Sequence, residues 1–325
     1  MANPNRLEAT KGTRTNGHGA SSAGTVPVGA RHAVPLPHLE ADEDEASPSY
    51  YRHTARAFDA LAATYDQRYR QGDDPIRGWL ALKSLATLRR QLPRDQPLLE
   101  IGCGTGTEAL ALAADGREVT ASDISSNMLA AATTKARDAG LDGHLTFHCL
   151  PASEIGGLTA KYGTGAFGGA YSSFGALNCE PRLDLVATGL HALLERDALF
   201  VTSVVNRWCA FEIVWHLLHG DLRVALRRVG GTWTGASLDG DDGEVQVSAR
   251  CYTPRSLAQL LGPFFRLEQV LGLGVFVPPP YLSQLAGAHP GPFRALESLE
   301  GWCADAFPFS WSGDHFTAIF RRCDV

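Results

Sequence analysis

Leu98-Leu99-Glu100-Ile101-Gly102-Cys103-Gly104-Thr105-Gly106-Thr107-Glu108-Ala109-Leu110 decides how this chain is read. A short apolar run follows Pro97, three glycines alternate with other residues, and an Ala/Leu-rich helical pattern begins. The spacing predicts a strand, a tight turn and a helix, the opening of a βαβ unit. Glycines let the backbone turn sharply and let a ligand approach where a Cβ would stand in the way. The first N–H groups of the helix face that ligand.

Two ligand classes use such a turn. A dinucleotide site takes Gly-x-Gly-x-x-Gly and seats a pyrophosphate on the helix N-terminus. Here the third glycine comes one position early, and Thr107 stands where that pattern takes glycine. Glu100, two residues before the turn, would repel a pyrophosphate and would suit an ammonium or sulfonium group. The second apolar run, residues 119–122, ends in Asp123, the acid expected for a pair of ribose hydroxyls. Glu100, the Gly-x-Gly-x-Gly turn and Asp123 together resemble the class I S-adenosylmethionine (SAM)-dependent methyltransferases of the small-molecule type. The resemblance implies an α/β fold: a doubly wound, Rossmann-like sheet of seven mostly parallel strands with helices on both faces. It implies SAM as cofactor, with Gly102, Cys103, Gly104 and Gly106 forming the turn beneath it. Cys103 reads as a small residue that fits there rather than as a nucleophile.

Composition sets the outer bounds. The chain has 325 residues, 44% hydrophobic and 20% charged, as in soluble globular proteins with one large or two ordinary domains. A net charge of -6 offers no general attraction for nucleic acid or anionic lipid. No apolar run is long enough to span a bilayer, and the N-terminus lacks a signal-peptide core. The 7 cysteines include no Cys-x-x-Cys pair, which points to reduced thiols in a cytoplasmic protein and to no metal site. Nothing in the sequence speaks to oligomeric state.

Residues 1–48 read as a disordered tail, rich in Gly, Pro, Ser and Thr and ending in an acidic run. The remaining 49–325 read as one methyltransferase domain. Phe58-Asp59-Ala60-Leu61-Ala62-Ala63-Thr64-Tyr65-Asp66 is similar to the family's "F-x-x-x-A-x-x-Y-D" segment. By that resemblance Tyr65 reaches the methionine end of SAM and Arg77 pairs with its carboxylate. A core position for Tyr65 and a solvated one for Arg77 are the plainer alternatives. Asp123-Ile124-Ser125-Ser126-Asn127-Met128-Leu129 fits the family's signature after the second strand. Asp123 would accept both ribose hydroxyls, Ile124 and Met128 would flank adenine, and Ser125 or Ser126 would cap the next helix. After the third strand, 145–149, the family's acid for the adenine amino group is missing; Ala152 and Ser153 occupy that stretch. At the fourth strand, 166–171, the acid of the family's "F-D-x-V" is Gly168. Ligands sit beyond the carboxyl ends of parallel strands, near the reversal of strand order. Ser173 and Phe174 should therefore stand beside the sulfonium, and Asn178 near the acceptor.

Two insertions, 206–252 and 276–312, depart from the minimal fold and should form the acceptor pocket and a substrate-side lid. The first is an aromatic-rich helical stretch running to Val229. Arg207, Trp208 and Glu212 leave a strand's carboxyl edge, and Trp208, Phe211 and Trp215 share one helical face. They read as core or as the wall of an apolar acceptor site. His216 and His219 are candidate general bases, since imidazole is neutral near physiological pH. The polar stretch 239–244 reads as a solvated hairpin loop leading to a strand at 245–252. Thr253-Pro254 starts a helix, and residues 264–275 and 314–320 read as the remaining strands of the sheet, the last of which the family resemblance implies is antiparallel. The expected reaction is transfer of the SAM methyl group to an apolar or aromatic small molecule, at oxygen, nitrogen or carbon, by in-line displacement. Ser172-Ser173-Phe174-Gly175 lacks the Pro-Pro-aromatic motif of the nucleic-acid methyltransferases. Two alternatives stand: a SAM-fold protein that does not transfer methyl groups, and a nicotinamide oxidoreductase.

Overall fold

The computed structural model describes residues 47–69, 74–230, 234–240 and 243–324. The tail read above, apart from residues 47 and 48, lies outside them, as does the tip of the polar loop at 241–242.

Chain order begins with helices α1 (Pro48–Leu61), α2 (Tyr65–Tyr69) and α3 (Pro75–Gln91). Alternating units follow: β1 (Leu98–Ile101), α4 (Thr107–Ala114), β2 (Val119–Asp123), α5 (Ser126–Asp138), β3 (Leu145–Cys149), α6 (Thr159–Tyr162), β4 (Phe167–Ser172), α7 (Leu183–Leu193) and β5 (Leu194–Val205). Next come α8 (Ala210–Leu218), α9 (Leu222–Ala225), β6 (Thr234–Gly240), β7 (Gly243–Ala249) and α10 (Pro254–Leu261). The chain closes with β8 (Phe265–Leu273), α11 (Ser283–Ala288), α12 (Pro290–Cys303) and β9 (His315–Arg322). Side chains start the helices as the sequence anticipates: Ser125 accepts from Met128 N at 3.1 Å, and Thr253 and Ser256 form a capping box.

The main sheet has seven strands in the order β3-β2-β1-β4-β5-β9-β8. The strands from β1 to β5 pair in parallel, and β9 runs antiparallel to both β5 and β8. Helices cover both faces. Leu183, Val186 and Leu190 of α7 pack with Leu257 and Leu261 of α10 against Phe200, Phe316 and Phe320. On the other face Leu88, Leu92, Ala109, Leu112, Leu129 and Ala136 pack against Leu98, Tyr171, Val201 and Ile319. Strand order reverses between β1 and β4, which sets the ligand crevice above their carboxyl ends.

Two departures from the sequence reading have local causes. The helix expected to run to Val229 breaks into α8 and α9 where Gly220 takes φ +74° and Asp221 caps the next turn. The strand expected at 245–252 stops at Ala249 and pairs with β6, which the reading missed; the pair is a separate hairpin. At Gly168, where the family's acid is missing, the Gln96 side chain fills the space that a Cβ would take.

Candidate active site

The glycine turn is built by backbone. Gly102 and Cys103 both donate to Ser122 O, at 2.8 and 3.0 Å, which ties the end of β1 to the end of β2. Gly102, Gly104 and Gly106 all have positive φ. A Cβ on Gly102 would run into that of Ala176, so the turn closes only with glycine. Gly106 packs toward Ala132 on α5 and caps α4. Burial pushes the Cys103 thiol well up, so it is held as an inert thiol.

Above this turn lies a cavity of about 390 Å³. One end is formed by Asp123, Ile124, Met128, Leu150, Pro151 and Ala152. Asp123 Oδ2 accepts from Gly104 N and Oδ1 from Ser125 N, each at 2.8 Å. Each carboxylate oxygen keeps a further acceptor position, so the group is oriented as a two-pronged acceptor. Burial raises its pKa, against the pull of those backbone donors. The other end is formed by Leu80, Phe174, Asn178, Val205, Pro280 and His315. Tyr51, Thr54 and Phe58 of α1 and Val247 and Ala249 of β7 line the cavity as well. Tyr50 fastens α1 to the neighbouring segments, its hydroxyl donating to Cys179 O at 2.6 Å and Ser248 O at 3.4 Å.

Of the residues singled out from sequence, Tyr65, Arg77, Gly102, Cys103, Gly104, Asp123, Ile124, Met128, Ala152, Ser173, Phe174 and Asn178 line this one cavity. Ser173 Oγ is buried without a hydrogen-bond partner among the described residues. Phe174 has φ +51°, and its N–H donates to Ser203 Oγ at 2.9 Å. Arg77 pairs with Asp74 at 3.0 Å at the start of α3. The Asn178 amide accepts from Val205 N at 2.9 Å and donates to Arg250 O at 2.6 Å, so it braces the end of β5 against the residue after β7.

The others lie off the cavity wall. Glu100 is buried one layer below, its Oε2 accepting from the Tyr171 hydroxyl at 3.2 Å. Ser153 turns to Tyr51 and Glu180: its Oγ is 2.9 Å from the Tyr51 hydroxyl and its N–H donates to Glu180 Oε2 at 3.1 Å. Arg207 and Trp215 do not reach the cavity, and Trp208 is 45% exposed. Glu212 is 1% exposed and bound by Arg227, Arg228 and the Tyr281 hydroxyl at 2.6, 2.9 and 2.9 Å. Burial raises its carboxyl pKa, yet the two guanidinium groups win and hold it below the ordinary range. His216 Nε2 meets the Tyr281 hydroxyl at 3.0 Å, and burial lowers its pKa. His219 is exposed and bonds Trp215 O through Nδ1 at 2.8 Å.

Sequence reasoning missed His315, Asp314 and the roof residues of α1 and β7. His315 Nδ1 is 2.9 Å from Asp314 Oδ2, and Asp314 Oδ1 accepts from Arg228 at 2.8 Å. The available signal was an Asp-His pair at the head of the last strand, and it was read only as strand. Among the described residues no cluster of His, Cys, Asp and Glu is placed to hold a metal ion, and no helix is long and apolar enough to cross a membrane.

Residues 98–196 match a family model described as a methyltransferase domain. No curated protein matches the chain by sequence. Among solved structures, the CcbJ methyltransferase from Streptomyces caelestis is similar over 84% of this chain and 99% of its own, at 16% identity and a TM-score of 0.55. The [4+2]-cyclase SpnF is similar over 83% and 95%, at 17% identity and TM-score 0.55. A putative S-adenosylmethionine-dependent methyltransferase from Listeria monocytogenes is similar over 76% and 100%, at 17% identity and TM-score 0.51. At such identities these structures speak for the fold. The matched segment holds β1 to β4, the glycine turn and Asp123, so over these residues the chain is similar to methyltransferase domains.

Proposed function

We propose that this protein transfers the methyl group of SAM to an apolar or aromatic small molecule held in the same cavity. SAM supplies a methyl group on a positively charged sulfur. The residues present fit it: the two-pronged Asp123 suits a vicinal diol, and Ile124, Met128 and Ala152 make an apolar slot for adenine. Tyr65 and Arg77 take the methionine end, and the partnerless Ser173 hydroxyl stands ready for a polar group near the sulfur. The observation that carries the proposal is one continuous cavity joining Asp123 to the apolar walls of Val205, Val247, Ala249 and Pro280. A cavity of about 390 Å³ falls in the range of small-molecule sites, about 300–1,000 Å³. In-line displacement asks the chain to align the acceptor with the methyl group and to exclude water. The roof of α1 and the β6–β7 hairpin serves the second task; in this reading it is the hairpin insertion, with Pro280 from the second, that forms the lid.

Thermal melting tests the cofactor half: SAM or S-adenosylhomocysteine raises the midpoint and NADH does not. Stabilisation by NADH alone would return the chain to the nicotinamide alternative. A labelled-methyl assay against phenols, amines and polyketides tests the transfer. Cofactor binding with no label transferred to any acceptor would favour other chemistry on this fold, of which the cyclase SpnF is an example by name.

A further inference from the structure

We infer that His315 is the base that takes the proton from a hydroxyl acceptor, with Asp314 as its positioning residue; this rests on the methyl-transfer reading above. His315 heads β9, in register with Val205 at the end of β5 and Leu273 at the end of β8, and its ring meets the ring of Phe174 edge-on at 6.1 Å. It therefore faces the cavity beyond the β4 and β5 ends, on the far side from Asp123. Nδ1 is engaged by the Asp314 carboxylate, so Nδ1 holds the proton and Nε2 presents its lone pair. No hydrogen bond to Nε2 exists among the described residues.

Asp314 stays an anion. Burial would raise its pKa, but Arg228 and His315 together hold it well below the ordinary carboxylate range. Arg228 is itself clasped between Asp314 and Glu212, at 2.8 and 2.9 Å. The charged groups packed behind the imidazole are thus Asp314, Arg228 and Glu212, while Arg77, Asp123 and Glu180 face the same cavity. An orienting acid, a histidine and an open cavity make the general-base arrangement. As the O–CH₃ bond forms, the CH₃–S bond breaks with its electron pair staying on sulfur, and the hydroxyl proton passes to Nε2. The substrate class is an alcohol or phenol that keeps its proton at neutral pH. An amine with a free lone pair needs no such base to attack.

The test uses the full chain. In ¹⁵N-histidine spectra at pH 8, with the His315 signal assigned by its loss in His315→Gln, the ring is protonated at Nδ1 and bare at Nε2. A His315 ring protonated at Nε2 overturns the proposal. In the labelled-methyl assay the product is a methyl ether. His315→Gln then lowers kcat by about 10²–10⁴-fold, as loss of a general base does. Its stabilisation by S-adenosylhomocysteine is unchanged, and the acidic limb of the pH–rate profile is gone. Asp314→Asn lowers kcat with KM for SAM unchanged, and Asp314→Glu recovers part of it. An N- or C-methylated product, or a His315→Gln rate within about threefold of the parent, overturns the proposal and leaves the cofactor reading intact. Failure of S-adenosylhomocysteine to stabilise the unaltered chain sinks the methyl-transfer reading instead.

Discussion

The two ends of the cavity are made in different ways. At the end proposed for the cofactor, residues close in sequence do the work: Gly102, Gly104, Asp123 and Ser125 fall within one βαβ unit, and backbone N–H groups orient the acid. At the end proposed for the acceptor, several braces join residues far apart in sequence. Asn178 reaches Arg250, Tyr281 reaches Glu212, and Arg228 reaches Asp314. The first end is a property of a turn, and the second is a property of the assembled fold. Substitutions should therefore act differently at the two ends: on ligand affinity at one, on stability and catalytic alignment at the other.

The sharpest break comes at the cofactor end. Asp123→Ala removes both acceptors for a ribose diol and is expected to abolish stabilisation by S-adenosylhomocysteine while the protein still melts cooperatively. At the acceptor end, Arg228→Met leaves Glu212 and Asp314 buried without their shared cation. Removing one partner of a buried pair costs about 3–5 kcal/mol, so denaturant unfolding should show a loss of that size. A loss under about 1 kcal/mol would mean that the network is not what holds this end together. Gly102→Ala forces a Cβ against Ala176 at a positive φ and should cost about 1–3 kcal/mol, with weakened cofactor binding.

Acid separates the ends more gently. Glu212 and Asp314 have depressed pKa values in the fold, so their contribution is present above the unfolded carboxylate range and is lost as pH falls through the folded values. Asp123 is shifted upward, so protonation favours the fold at that end. The melting midpoint should drop below about pH 4, with a shallower drop in Arg228→Met. The smallest effect belongs to His219→Gln, an exposed change expected to stay within about 0.5 kcal/mol.

Legibility follows the same division. The seven strands of the main sheet could be read within a few residues, because apolar runs and glycine turns recur in order. The place of Asp123 beside the glycine turn was legible because its hydrogen-bond partners, Gly104 and Ser125, lie close to it in sequence. His315 was not: its orienting acid is adjacent, but the arginine behind that acid lies 86 residues away. β6 escaped because Thr234-Gly235-Ala236-Ser237 carries little strand signal, and only its pairing with β7 makes it a strand. Glu212 and Trp208 illustrate the converse. Chain position put both at the acceptor edge, but the fold turns Glu212 to its arginines and leaves Trp208 at the surface.

A crystal structure with S-adenosylhomocysteine tests the account most directly. The account predicts both ribose hydroxyls on the Asp123 carboxylate, adenine between Ile124 and the segment 150–152, and sulfur beside Ser173. Density for the nucleoside anywhere else, or none in the cleft above β1 and β2, would contradict it.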